Sequence, residues 1–279
     1  MKDIVERIKS WNRKRLKRHR QQKGEKNKEV RKFLAVMCIA KNEGMNIDEW
    51  IKHYLWQGAD HIFIIDNGSI DDTRQKVELW AENNNVTLIS RPQNYKQAAH
   101  YKYVFQNLKL QKKFQWLLIA DADEFWFSPT GQVIPEVIRK LSSFDLIYCN
   151  WSIFGSSECR DHPTSLRENL VHRAPKLGPH EFSKWVAKTD ALNNGRSIGI
   201  HRIGDICSTR TITENDDLRV NHYVTQSEEF WKAIKMTRGD AFDPANDGFR
   251  TMEVFHSINR DCTVEDCRLA QQVTITTST

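Results

Sequence analysis

Between residues 33 and 124 one pattern is repeated: an apolar run of strand length, a short polar cluster and an amphipathic helical segment. The apolar runs have the composition of strands buried on both faces, which is typical of a parallel sheet covered by helices. The sequence therefore predicts an α/β fold with a Rossmann-like, mostly parallel sheet and helices on both faces. The predicted strands are 33–40, 61–65, Val86–Ser90 and 116–120, and the predicted helices between them are 46–57, about 71–83 and 97–110.

Each predicted strand ends in polar residues. The clusters are 41–43, 66–69, Arg91 and 121–124. Because the carboxyl ends of parallel strands lie at one edge of a sheet, and ligands bind in the crevice there, these clusters predict one binding site.

The densest cluster consists of Asp121, Asp123 and Glu124, three carboxylates within four residues after the fourth apolar run. Like charges packed together repel, and a bound divalent cation removes the conflict. Mg²⁺ and Mn²⁺ take hard oxygen ligands, commonly one or two carboxylates with substrate phosphates. In the D-x-D spacing one carboxylate can reach the ion while the other holds a ribose or the ion's water. The alternative is an acidic turn that caps the following segment.

Several spaced motifs carry a family resemblance, and their order and separation make it specific. The segment 33–240 resembles glycosyltransferases of families 2 and 92, most closely a bacterial branch related to family 92. The motifs are V-M-C-I-A-K-N-E at 36–43, E-W-I-K-H-Y at 49–54, G-A-D-H-I-F-I-I-D-N-G-S at 58–69, D-A-D-E-F at 121–125, F-G-S at 154–156, N-H-Y at 221–223 and R-G at 238–239.

This resemblance implies the A-type glycosyltransferase fold, a UDP- or GDP-linked sugar donor, a Mn²⁺ or Mg²⁺ ion, and an inverting hexosyltransferase acting on a glycan or glycolipid. It implies metal ligation by Asp121, Asp123 and a late histidine, for which His222 is preferred over His201. The candidates for nucleotide-sugar contacts are Ala40, Lys41, Asn42, Glu43, Asp66, Asn67, Arg91, Asp121 and Ala122.

The catalytic base is where the sequence departs from the family pattern. Family 2 members usually place a Glu-Asp pair at the start of a helix beyond the D-x-D, and no such pair occurs between 150 and 185. An inverting transferase needs a carboxylate to accept the acceptor's hydroxyl proton. The available acids are Glu158, Asp161 and Glu181, in an irregular segment, 155–182, that we expect to face the acceptor. The stereochemical outcome therefore stays open.

The charge is divided unevenly along the chain. Residues 1–32 hold fourteen Lys/Arg against four Asp/Glu, a balance of +10, whereas the remainder carries −4. We expect a basic helical arm at 1–32, a transferase domain at 33–260 with halves 33–150 and 151–260, and a tail at 261–279, frayed from Gln271. The arm is either a solvated helix or an attachment to an anionic membrane surface. Nucleic acid is not expected, since the body shows no second basic surface.

The expected location is cytoplasmic, either free or peripheral at the inner face of the cell membrane. No secretion signal and no apolar run of about 20 residues is present, and the six cysteines lack C-x-x-C spacing, which favours a reduced compartment. By analogy with the bacterial relatives, the expected pathway is surface polysaccharide or lipopolysaccharide biosynthesis.

Other classes of protein also carry clustered Asp and Glu residues and are alternatives to a glycosyltransferase. A nucleotidyltransferase should carry a Gly-rich loop after the first strand, where this chain has only Gly44. A metal-dependent phosphatase or nuclease should show a second dense cluster, and none is evident. A catalytically inactive module that binds sugar nucleotides remains a third alternative.

Overall fold

The computed structural model describes residues 30–82, 85–204, 206, 210–238 and 248–277. The predicted basic arm falls on residues 1–29 almost entirely and so lies outside the described residues. Lys32–Thr279 form one compact unit. No helix among the described residues is long and apolar enough to cross a membrane.

The first half of the compact unit is the predicted parallel sheet. The strands are β1 Lys32–Ala40, β2 His61–Asp66, β3 Val86–Ser90 and β4 Phe114–Ile119, and the helices are α1 Ile47–Trp56, α2 Thr73–Ala81, α3 Gln97–Asn107 and α4 Leu110–Lys113. The strands lie in the order β3-β2-β1-β4, and each neighbouring pair is parallel. Gly58, at φ +86°, ends α1 as predicted, because a left-handed residue stops the helix without a side-chain clash.

Two hydrophobic cores cover the two faces of this sheet. Leu34 and Val36 of β1 lie in one core with the apolar stripes of α1 and α2, whereas Ala35 and Met37 lie in the other with α3. This alternation follows from the two-residue side-chain period of a strand. The predicted α/β class, with helices on both faces, is confirmed.

The second half extends the sheet with mixed strand directions. Its elements are β5 Glu124–Phe127, α5 Ile134–Lys140, β6 Leu146–Phe154, α6 Leu166–Asn169, β7 His172–Arg173, β8 Ser183–Lys188, β9 Thr211–Thr213, β10 Arg219–Tyr223, α7 Glu228–Phe230 continuing as a π turn Trp231–Lys235, α8 Met252–Asp261, β11 Val264–Glu265 and α9 Arg268–Thr277. Strand β8 lies antiparallel between β4 and β6, and β10 pairs with both β5 and β6. Because β8 runs backwards, its first residues lie at the carboxyl edge of the parallel strands.

The chain's last segment differs from the sequence expectation. The predicted fraying from Gln271 is wrong, because α9 continues helically through Thr277. Leu269 and Val273, one helical turn apart, are buried in the same core as α1. Their burial supplies the packing energy that a Thr-rich segment lacks by itself.

Candidate active site

The acidic cluster forms the turn between β4 and β5. The Glu124 amide donates to the Asp121 carbonyl at 3.0 Å, and the Asp121 amide donates to Glu124 Oε2 at 2.9 Å. Glu124 therefore closes the turn back onto Asp121, but only one of its carboxylate oxygens does so. Glu124 Oε1 is buried and has no hydrogen-bond partner.

Lys184, at the start of β8, lies between two of the acids. Its ammonium is fully buried, 2.7 Å from Asp121 Oδ2 and 3.6 Å from Glu124 Oε2. Burial lowers the pKa of the Lys184 ammonium, but the carboxylates of Asp121 and Glu124 outweigh burial and leave that pKa above its ordinary value. Burial raises the pKa of the Glu124 carboxyl well above its ordinary value, since the fully enclosed charged form is poorly solvated.

Asp123 is held between a lysine and a histidine from later elements. Its Oδ2 accepts a hydrogen bond from Lys235, and its Oδ1 lies 3.5 Å from His222 Nε2. The register of β10 on β5 sets His222 opposite Glu124, which explains why the histidine reaches this turn. Burial raises the pKa of the Asp123 carboxyl, but Lys235 and His222 outweigh it and hold the pKa well below its ordinary value.

Asp123, Glu124 and His222 could together hold a metal ion. Each offers one ligand atom, and these three atoms lie within 4.8 Å of one another. One buried atom of the group, Glu124 Oε1, has no hydrogen-bond partner, which is costly unless a ligand binds there. The two carboxylates are the hard oxygen ligands that Mn²⁺ and Mg²⁺ take, and the imidazole favours the transition-metal ion Mn²⁺ over Mg²⁺. The donor set therefore fits the predicted ion.

The site differs in detail from the predicted ligand set of Asp121, Asp123 and His222. The Asp121 carboxylate faces Lys184 and accepts a second hydrogen bond from Gln97 Nε2 at 3.1 Å. The role of Asp121 as a ligand stays a prediction. His201, the other predicted candidate, contacts the Ser183 carbonyl at 3.4 Å and does not belong to the group of three.

The predicted nucleotide side lies at the ends of β1, β2 and β3. Asn42, at φ +55°, donates its amide to Ser69 Oγ at 3.0 Å, and Asp66 Oδ1 accepts from the Ser69 amide at 3.0 Å. The Asn67 side chain donates to the carbonyls of Arg91 and Gln93. These bonds join three loops into one wall at the carboxyl edge of the sheet.

Glu43 connects this wall to the segment after the π turn. Its carboxylate pairs with the guanidinium of Arg238, which also donates to the Lys41 carbonyl at 3.1 Å. Asn46 Nδ2 donates to the other Glu43 oxygen at 3.1 Å. Ala40 is buried at the end of β1, and Ala122 is buried between Asp121 and Asp123.

A family comparison agrees with this geometry. The model of Glycosyltransferase family 92 matches residues 35–260, which include both halves of the site. The chain belongs to glycosyltransferase family 92.

Plant members of family 92 are similar to this chain in sequence. A protein of Arabidopsis thaliana is 29% identical over 225 residues, covering 76% of this chain and 38% of that protein. A protein of Oryza sativa is 28% identical over 219 residues, covering 74% of this chain and 36% of that protein. The chain thus spans less than two fifths of these relatives. Because they are plant proteins, they lend no support to the bacterial branch expected from the sequence.

Solved structures of other proteins resemble the chain more distantly. S. aureus TarS 1–349 in complex with UDP has a TM-score of 0.45 and 13% identity, over 77% of this chain and 68% of that one. Glucosyl-3-phosphoglycerate synthase from Mycobacterium tuberculosis, in complex with Mn²⁺, UDP and phosphoglyceric acid, has a TM-score of 0.32 and 15% identity. The match covers 58% of this chain and 57% of that one.

The three acids predicted as candidate bases in this family 92 chain, Glu158, Asp161 and Glu181, are all exposed. Glu158 lines a cavity of about 460 Å³ together with His172, His256 and other residues between β7 and α8. None of the three belongs to the group around Asp123, and each one's catalytic role stays a prediction.

Sequence reasoning missed the two buried lysines of the site. Lys235 is four residues after Trp231, on the buried stripe of its helical segment, and Lys184 precedes three buried strand residues. A lysine at a position whose neighbours are buried is rare unless it is paired, and this is the signal that could have found both.

Proposed function

We propose that this family 92 chain transfers a hexose from a nucleotide-diphosphate sugar to a glycan or lipid-linked acceptor, with a divalent cation at Asp123, Glu124 and His222. One observation carries the proposal: three potential ligand atoms lie within 4.8 Å at the carboxyl edge of the sheet, beside the loops expected to bind the nucleotide. One of those side chains, Glu124, holds a buried oxygen without a hydrogen-bond partner.

The chain's own residues would act before and during transfer. The loops of Asn42, Asp66 and Asn67, already joined by hydrogen bonds, would receive the nucleotide without further ordering, which lowers the entropic cost of binding. Lys184 would keep Asp121 charged and aimed at the ribose. The ion, when bound, would neutralise charge that develops on the departing diphosphate.

The test compares Asp123→Asn with Asp190→Asn, a substitution of an exposed aspartate on another segment. Thermal unfolding of the full chain is followed with UDP or GDP and Mn²⁺. A nucleotide at about 100 times its Kd stabilises by about 2.7 kcal/mol, so a clear upward shift in Tm is expected for wild type and Asp190→Asn. Asp123→Asn should have a lower metal-free Tm than wild type, because the buried Lys235 loses its carboxylate partner. Measured against that lower Tm it should show no added shift with nucleotide and Mn²⁺, and sugar transfer should fall at least about 100-fold. Normal turnover by Asp123→Asn would refute the metal assignment.

A second candidate is sugar transfer without a metal. It is favoured by the ammonium groups of Lys184 and Lys235, which already lie against Asp121 and Asp123 and supply positive charge at the same place. Full activity of chelator-treated protein in EDTA, with loss of activity in Lys235→Met, would favour this candidate over the metal-dependent one.

The base, the acceptor and the cellular setting belong to the same proposal. Three variants, Glu158→Gln, Asp161→Asn and Glu181→Gln, should be compared. The variant that loses kcat while its affinity for the donor is retained identifies the catalytic base.

The cellular setting we propose is surface polysaccharide or lipopolysaccharide biosynthesis at the cytoplasmic face of a membrane. The basic arm and analogy alone support it.

A further inference from the structure

Phe182 is a large apolar side chain left in solvent beside the candidate active site. Half of its surface, 50%, is exposed, although it directly precedes the buried strand β8. Its ring stacks on that of Trp151 with centroids 5.6 Å apart and an angle of 6° between the planes. The rings are nearly parallel and offset, so Trp151 covers part of one face of the Phe182 ring, while half of the residue's surface stays exposed.

The backbone that carries this ring is held by hydrogen bonds. The Phe182 amide donates to the Pro179 carbonyl at 2.8 Å, and the Phe182 carbonyl accepts from the Trp151 amide at 3.2 Å. The Gly178 amide donates to the Trp151 carbonyl at 2.8 Å. The turn is therefore fixed against β6, and the exposed ring loses little conformational entropy when a ligand covers it.

The sheet places this ring on the side of the metal-binding group away from the nucleotide. The strand order β6-β8-β4-β1-β2-β3 puts Trp151, on β6, across β4 from the loops after β1, β2 and β3. The Trp151 ring contacts the His222 ring, with centroids 4.3 Å apart, and His222 in turn faces Asp123. The stacked pair therefore lies at the edge of the reaction centre. On this side we expect the acceptor, because the nucleobase of the donor is expected on the opposite side.

We propose that the exposed face of Phe182 binds the apolar face of a pyranose ring in the acceptor saccharide; this rests on the proposed transferase function. A pyranose presents C–H groups on one face and hydroxyls around its rim, so a flat aromatic ring can cover the first while water or polar groups reach the second. Stacking would orient a hydroxyl of the acceptor saccharide toward the metal-binding group and would not require a charged acceptor.

The experiment uses the full chain and three probes: methyl β-D-galactopyranoside, methyl β-D-glucopyranoside and methyl α-D-mannopyranoside. Saturation-transfer NMR records which ring protons approach the protein, with UDP and Mn²⁺ present. The variants are Phe182→Ala, Phe182→Leu, Phe182→Tyr and, as a control, Phe249→Ala, which removes another exposed phenylalanine.

At least one glycoside should show the strongest transfer to the C–H protons of one ring face in wild type, Phe182→Tyr and Phe249→Ala. Phe182→Ala and Phe182→Leu should weaken its binding by about tenfold, because leucine keeps apolar surface but loses the flat face. Binding of none of the three probes to wild type, or equal binding by Phe182→Ala, would overturn the proposal.

A separate readout distinguishes this failure from failure of the proposed function. The Tm shift produced by UDP or GDP with Mn²⁺ should be the same in Phe182→Ala and wild type, which also shows that the variant is folded. If that shift is present and the glycoside result is negative, only the role of Phe182 is lost. If neither nucleotide shifts the Tm of any of these proteins, the transferase proposal itself fails.

Discussion

At the scale of single residues, the site balances buried charges before any ligand arrives. Lys184 faces Asp121 and Glu124, and Lys235 faces Asp123. A buried ion pair contributes little net stability, because desolvation offsets its attraction, but removal of one partner leaves an uncompensated charge. The lysines therefore allow three carboxylates to stay together in the folded chain.

This balance predicts a large effect of Lys184→Met. The substitution keeps the side chain's length but leaves Asp121 and Glu124 without their buried cation, so the free energy of unfolding should fall by about 3 kcal/mol. Lys188→Met on the same strand is the matched control, because its partly exposed pair with Asp145 should contribute at most about 1 kcal/mol. Urea unfolding at pH 7 without added metal measures both, and an equal loss in the two variants would contradict the argument.

At the scale of elements, one carboxylate joins two helices that are far apart in sequence. Glu49 of α1 accepts from the Ser165 hydroxyl at 2.6 Å, the Leu166 amide at 2.8 Å and Arg167 Nε at 2.8 Å, all at the start of α6. Glu49 thereby satisfies donors that the first turn of a helix leaves free. It also gives the segment between β6 and β8 a fixed attachment to the sheet's first helix.

We expect Glu49→Gln to lower the free energy of unfolding by about 2 kcal/mol, because the glutamine amide group cannot accept the bonds made by both carboxylate oxygens. Glu78→Gln, which alters an exposed pair with Arg74 on α2, should change it by under about 0.5 kcal/mol. Thermal or urea unfolding of the two variants supplies the comparison. Equal stability of Glu49→Gln and wild type would show that the attachment is dispensable.

At the scale of the whole molecule, the charge distribution supplies a test of the proposed membrane attachment. The first 32 residues carry a balance of +10 and the rest carries −4, so an anionic surface would attract the arm and not the body. The chain lacking residues 1–30 should lose sedimentation with phosphatidylserine-containing vesicles, whereas neither form should bind pure phosphatidylcholine. Added salt should weaken binding of the full chain, since exposed charges are screened. Unchanged sedimentation of the shortened chain would rule out this role.

The sequence by itself determined the elements of the parallel half and the edge where they converge. Strand β3 has its predicted bounds and β2 extends one residue further, because apolar runs and their polar ends are local signals. The acids at 121–124 could be recognised for the same reason, since their density after a buried strand is unusual in any fold.

The tertiary structure decided which side chains complete the site. Lys184 reaches Asp121 because β8 inserts antiparallel beside β4, and His222 reaches Asp123 because β10 pairs with β5. These pairings join residues about 60 to 100 positions apart in the chain. The periodicity of apolar residues along the sequence does not predict these pairings, because they depend on which strands become neighbours when the two cores are buried.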